Sequence, residues 1–236
     1  MVQDGGVTFD AARDLLILDV PTEARVAHAR LLGADPAERY TAGGIDVAVG
    51  APSWAKDSGL LVATDDAAMA AKLAERRGLP LSDVGIGFAG AADGLVLGLA
   101  GPTEPAAGPG AEITGVDHVV LTSPNRDRII ATLCGRLDFD LRLDRVQSWG
   151  VHQLFFRRGD LLVEVVLQEG EDADPAGPDG LWGVAWRTVD ADATHARLTE
   201  QGIAVSEVRR GAKPGTRVAT VKDAALGVPT IVLEQS

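Results

Sequence analysis

Two side chains in this 236-residue chain combine reactive chemistry with a strand-like apolar setting. His118 stands in VDHVVLTS and Glu164 in LLVEVVLQ, runs rich in β-branched residues and short enough to be strands. Alternate residues of a strand share a face, so His118 lies with Val120 and Thr122, and Glu164 with Leu162 and Val166. Both faces are mostly apolar. An ionised carboxylate there is costly unless it is paired, hydrogen-bonded or metal-bound, so Glu164 demands a partner. An imidazole and a carboxylate together suit zinc, iron(II), manganese or nickel. A catalytic centre usually takes three protein ligands plus open positions, and here the count stops at two.

Other residues have a functional and a plain reading. Arg187 shares a strand face with Gly183 and Ala185, where a guanidinium suits a ligand carboxylate or phosphate or, equally, a salt bridge to Glu164. Trp182 and Trp186 fall on the opposite face and read as core. Trp149 and Phe156 are candidates to line the mouth of a binding cup. His28 in VAHARL and His195 in ATHARL read as solvated helix residues whose likeness points to duplication. Cys134, the only cysteine, excludes an internal disulfide and reads as a packing residue. The basic stretch around Arg209, Arg210, Lys213, Arg217 and Lys222 reads as a solvated edge ahead of an anion attractor. The Gly-rich piece GIGFAGAADG lacks the following helix that would place a phosphate on its N-terminus, and no Walker loop or G-x-S-x-G elbow is present, which argues against a nucleotide-binding or serine-hydrolase site.

The elements that must position these residues repeat. From Val116 the order is strand, helix (NRDRIIATLCGRLDF), then strands at Asp140–Gln147, Gly150–Arg157 and Leu161–Gln168. From Leu181 it is strand again, a helix over Asp190–Gly202 with Asp190 as N-cap, then strands in AVSEVRR, TRVATVK and PTIVLEQ. The N-terminal half follows a worn copy of this plan, its first unit with three strands where the C-terminal units have four. Such units cannot bury their apolar faces alone and should pair. The expected fold is α+β: tandem βαβββ modules in a shortened domain over residues 7–101, a Pro- and Gly-rich linker over 102–114 and a domain over 115–236.

The composition, with 46% hydrophobic and 24% charged residues, is that of a globular protein. A net charge of −12 argues against nucleic acid or an anionic membrane as a partner, and no stretch approaches the roughly 20 apolar residues of a membrane span. A cytoplasmic protein acting on a small molecule is the expectation.

D-H-V-V-L-T at a strand start, a helix, a late strand ending L-V-E-V-V and then a second copy resemble the vicinal-oxygen-chelate superfamily of glyoxalases, bleomycin-resistance proteins and extradiol dioxygenases. The resemblance covers Gly115–Gln235 well and Val7–Gly101 weakly. It implies a U-shaped sheet with a divalent metal in its cup, held by side chains from the first and fourth strand of each unit. His118 and Glu164 match two such places, whereas Gly183 and Val232 stand at the other two and cannot bind metal. In the N-terminal half the first-strand place falls near Leu15, and IDVAVG is read as offering no matching carboxylate, so no metal site is expected there. Three readings stay open for the C-terminal cup. A third ligand could come from His152 or Glu234; His118 and Glu164 could be a buried acid–base pair; or the cup could be only a pocket. The resulting expectation is a small-molecule-binding protein with an incomplete metal site. The alternative is a metal-dependent lyase, isomerase or dioxygenase with His118 and Glu164 as ligands, and Arg187, His152, Trp149 and Phe156 as the substrate-binding candidates. The family's habit of pairing units between chains adds a homodimer to the expectations.

Overall fold

The computed structural model describes residues 12–110, 112–170 and 173–235. The outer ends of the two expected domains, residues 7–11 and Ser236, lie outside the described residues, as do Ala111 of the expected linker and Glu171 and Asp172 of the acidic stretch.

The N-terminal half forms β1 (Asp14–Leu18), α1 (Ala24–Leu32), β2 (Arg39–Ala42) and β3 (Ile45–Val49). A second unit follows with β4 (Gly59–Ala63), α2 (Ala67–Arg76), β5 (Ser82–Asp83), β6 (Gly87–Ala92) and β7 (Leu95–Ala100). These strands make one sheet in the order β2-β3-β1-β4-β7-β6-β5. The C-terminal half adds β8 (Ile113–Ser123), α3 (Arg126–Ile130, continued by a π turn to Arg136), β9 (Asp140–Val146), β10 (His152–Arg158) and β11 (Leu161–Leu167). Its second unit has β12 (Gly180–Thr188), α4 (Ala191–Glu200), β13 (Arg209–Arg210), β14 (Thr216–Val221) and β15 (Thr230–Gln235). The second sheet runs β13-β14-β15-β12-β8-β11-β10-β9.

One rule generates both sheets. The first strand of each unit pairs parallel with that unit's last strand, and the two first strands of a half meet antiparallel, β1 with β4 and β8 with β12. This is the expected α+β pairing of tandem units, with three strands in the first unit. Local chemistry starts the helices where expected: Asn125 accepts from the Arg128 N–H, and Asp190 from those of Asp192 and Ala193. The AVSEVRR run falls short of a full strand. Only Arg209 and Arg210 pair with β14, and Val205 makes one isolated bridge to Val221, because Ser206 turns its backbone and hydroxyl onto Thr220.

Burial alternates as a period of two demands. Along β11, Leu161, Val163, Val165 and Leu167 are buried beneath the helices while Leu162, Glu164 and Val166 face the cup, only partly exposed. One continuous core runs through both halves, from Leu16, Leu60 and Leu97 to Val119, Leu121 and Val163. The halves are also pinned by polar contacts. Arg197 on α4 donates to the carbonyls of Arg30 and Leu31 at the end of α1, both at 2.9 Å, and to Glu112. Arg128 bonds Asp179, whose own N–H donates to the Asp93 carbonyl in the β6–β7 turn.

This junction corrects the reading of His28 as solvated. The ring is 1% exposed, because α1 packs on the Ala224–Leu226 turn of the other half. Nδ1 bonds the Ala24 carbonyl at 3.0 Å, Nε2 has no hydrogen-bond partner among the described residues, and burial lowers the ring's pKa. His195 is half-buried, and Cys134 packs partly buried against the core. Trp186 is core as expected, but Trp182 is largely exposed: β12 carries an extra residue between Leu181 and Gly183, and the bulge turns the indole outward. Among the described residues no helix is long and apolar enough to cross a membrane.

Candidate functional site

The N-terminal cup is filled. Leu15, Ile17, Leu61 and Val96 point into it and are covered by Ala55, with Trp54, Val84 and Ile86 packed alongside. Asp46 corrects the expectation that IDVAVG offers no carboxylate. It lies beside Leu15 on the cup face and is 2% exposed. Two arginines hold it, with Arg13 Nε and Arg39 Nη1 each 3.4 Å from its oxygens, and the Thr41 and Thr103 hydroxyls donate to it. A buried carboxylate is thus neutralised by guanidinium groups. The segment read as a free linker completes the closure. Pro102 bridges to Ala12, Ala107 to Tyr40, and the Ala106 N–H donates to the Thr41 hydroxyl. Pro and Gly deprive this stretch of periodicity without preventing it from pairing, and β8 begins at Ile113, inside it.

The C-terminal cup differs. β8 brings His118 and β11 brings Glu164 onto one face, with Nε2 and Oε2 3.6 Å apart and both side chains about one-eighth exposed. The pair belongs to a longer chain. His118 Nδ1 bonds Asp117 at 2.9 Å, and Asp117 also takes Arg187 Nε at 3.4 Å. On the other side Gln153 Nε2 donates to Glu164 at 2.5 Å, and Gln147 Nε2 donates to Gln153 at 2.5 Å. A bulge allows Asp117 and His118, adjacent in sequence, to serve one site: Ala185 pairs with His118 and Trp186 with Val116, so Asp117 is the extra residue. Burial raises the Glu164 carboxyl pKa against the lowering pull of His118 and Gln153, while the bond to His118 lowers that of Asp117. A carboxyl group of raised pKa beside an oriented imidazole can exchange a proton with a bound molecule.

The other candidates fall differently. Arg187 extends to the rim, half-exposed, and pairs with Asp117 instead of Glu164. His152 lies between Asp144 at 2.6 Å and Glu169 at 2.8 Å, which raise its pKa; strand parity puts it on the face opposite Glu164. Phe156 shares that face and is fully buried under the helices, so it does not line the cup. Phe155, directly across from Glu164, occupies the place instead. Trp149 is exposed in the β9–β10 turn. Glu234 points with Val232 to the helix side, where it takes the Ala191 N–H and Arg217. Parity therefore moves the fourth-strand place from Val232 to Ile231, which pairs with Ala185. Sequence reading missed Asp117, Gln153 and Phe155; the parity of GVHQLFF with Glu164's strand would have found the last two.

The donor set does not fit a catalytic metal. His118 and Glu164 supply two groups, whereas the second unit faces them with Gly183 and Ile231. At Gly183 a Cβ would lie 2.6 Å from the Pro229 carbonyl, so no ligand side chain fits there unless that loop moves. Among the described residues no group of three or more His, Cys, Asp or Glu is arranged to hold an ion.

Residues 117–220 match the family model of the glyoxalase/bleomycin resistance protein/dioxygenase superfamily. The C-terminal domain belongs to this superfamily. Among solved structures, a xylose isomerase-like TIM barrel/4-hydroxyphenylpyruvate dioxygenase fusion protein aligns over 100% of this chain and 52% of its own, with 14% identity and a TM-score of 0.68. That likeness shows a shared fold across both halves, and the chain spans about half of that protein. Methylmalonyl-CoA epimerase from Mycobacterium tuberculosis aligns with 53% of this chain and 91% of its own, at 21% identity and a TM-score of 0.44. The Streptomyces coelicolor epimerase aligns with 52% and 99%, at 22% and 0.43. No curated protein matches the chain in sequence.

Proposed function

We propose that the C-terminal cup is a small-molecule-binding site with an incomplete metal centre, in which Asp117, His118 and Glu164 hold and exchange a proton on the ligand. The observation that carries this is the composition of the second unit's two inward places, Gly183 and Ile231, the first of them crowded by Pro229. The N-terminal domain, its own cup closed, serves as a scaffold, and the domain division falls in the segment 102–112. The fully exposed edge strand β9, with Leu141 and Leu143, supports a homodimer.

A second reading is a metal-dependent lyase, isomerase or dioxygenase with the ion on His118 Nε2 and Glu164. It draws on Asp117, since metal-bound imidazoles commonly give their other nitrogen to a carboxylate. Elemental analysis of protein purified without chelator separates the two, together with His118→Ala and Glu164→Ala. The first reading expects no stoichiometric metal in the wild type. Stoichiometric zinc, iron, manganese or nickel that both variants lose would overturn it in favour of the second.

A further inference from the structure

Beside the cup, where the two halves meet, lies a cavity of about 240 Å³. Its walls come from both domains: the turn Ala42–Ile45 between β2 and β3 on one side, and Gly115–Asp117, Arg157, Leu162 and Arg187 on the other. It adjoins the proton-holding group directly, because Asp117 precedes His118 and Leu162 shares the cup face of β11 with Glu164.

The cavity carries two guanidinium groups with unspent donors. Arg187 is 49% exposed and engages Asp117 through Nε alone; among the described residues its Nη1 and Nη2 make no hydrogen bond. Arg157 is 56% exposed, with Nε on the Gly159 carbonyl and Nη2 3.8 Å from Asp160, beyond hydrogen-bonding reach. Paired N–H donors on a planar fork match an oxyanion. The acids nearby compete weakly. Asp117 is committed to His118 and Arg187, and Asp160 is fully exposed and screened by solvent. Asp14 takes the Ala63 N–H at 2.7 Å, and burial raises its pKa. The volume lies below the roughly 300–1,000 Å³ that drug-sized ligands occupy, which limits the occupant to a few heavy atoms beyond the anion.

We infer that this junctional cavity binds the carboxylate or phosphate of a small organic acid between Arg157 and Arg187, with the N-terminal domain's Gly43-Gly44 turn as one wall. This rests on the reading of the cup as a small-molecule site and names the class of molecule it takes. It also gives the closed N-terminal domain a part in recognition. Gly44 offers a clean probe of the wall: a Cβ there meets nothing within 4 Å, and its backbone is outside the left-handed region.

The test is titration calorimetry of the full chain in EDTA with pyruvate and, separately, inorganic phosphate, so that metal content does not enter. Wild type should bind at least one of them saturably in the millimolar range or tighter, the preferred one identifying the anion. Arg157→Gln, Arg187→Gln and the cavity-filling Gly44→Phe should each weaken binding by about ten-fold or more, the scale of a lost charged hydrogen bond. Arg217→Gln removes a charge outside the cavity, keeps both guanidinium groups of the site and should bind within about two-fold of wild type. Absence of saturable binding of either anion overturns the inference, as does unchanged affinity in both Arg157→Gln and Arg187→Gln. Binding lost in Glu164→Gln but kept in those two variants also overturns it and leaves the cup reading standing.

Discussion

Arg197→Ala is expected to loosen the junction between the two halves. The guanidinium is 17% exposed and makes three bonds of 2.9 Å, to the Glu112 carboxylate and to the carbonyls of Arg30 and Leu31. Those carbonyls lie in the last turn of α1, where the Arg30 carbonyl also takes the Gly33 N–H at 3.3 Å, so a cation suits the place twice over, as a donor and at the negative end of the helix dipole. Hydrogen bonds to charged groups contribute about 1.5–3 kcal/mol each. Water entering the truncated site recovers part of this, and the expected net loss is about 2–4 kcal/mol. For a chain of this size that corresponds to a fall in Tm of roughly 4–16 °C. Urea unfolding followed by circular dichroism measures it, with Arg217→Ala as control. Arg217 pairs with Asp192 and Glu234 in an exposed setting, where solvent screening leaves an ion pair little net effect on stability. A loss below about 0.5 kcal/mol in Arg197→Ala, or one equal to the control, would refute the assignment of this contact as the clamp between halves.

Three further outcomes follow from the charges. His28 is buried with a lowered pKa, so the unfolded chain takes up its proton first as pH falls through about 6.5; the stability it supports is full above that value and drains below it. His28→Gln should flatten the acid loss of Tm between pH 7.5 and 5.5, and an unchanged slope would count against the buried neutral ring. His152, with a raised pKa, acts in the opposite sense in both proteins and cancels from the comparison. Glu164 has a raised carboxyl pKa, so the folded state holds the proton longer and stability falls as pH rises above about 4.5. Glu164→Gln should therefore match or exceed wild type in Tm at pH 7 while losing any proton exchange with ligand, and a large destabilisation there would show that the ionised carboxylate is needed by the fold. Asp46→Ala leaves Arg13 and Arg39 facing each other in a closed site and should destabilise by about 3 kcal/mol or more in urea; a loss under about 1 kcal/mol would deny that site its buried character.

What the sequence determined by itself was local and periodic. Asn125 and Asp190 start helices wherever the chain goes, because a side-chain oxygen on a free N–H needs only its next few residues. Alternation in LLVEVVLQ fixed which side Glu164 shares with Leu162 and Val166, and the repeated strand-helix-strand order fixed the pairing of units. Tertiary structure decided what periodicity cannot encode. One extra residue at Asp117 and one at Trp182 shift β8 against β12, bringing an aspartate behind His118 and turning an indole to solvent. His28 and His195 sit in nearly identical helices, yet only the first is sealed, because only α1 packs against the Ala224–Leu226 turn of the other half. The Pro- and Gly-rich segment 102–110 carries no apolar rhythm, and it closes the N-terminal cup because Thr41, Asp46 and Tyr40 present partners that lie some sixty residues away along the chain. Arg187 met Asp117 instead of Glu164 for the same reason: which charges meet is set by the register between strands, and register is a property of the assembled sheet.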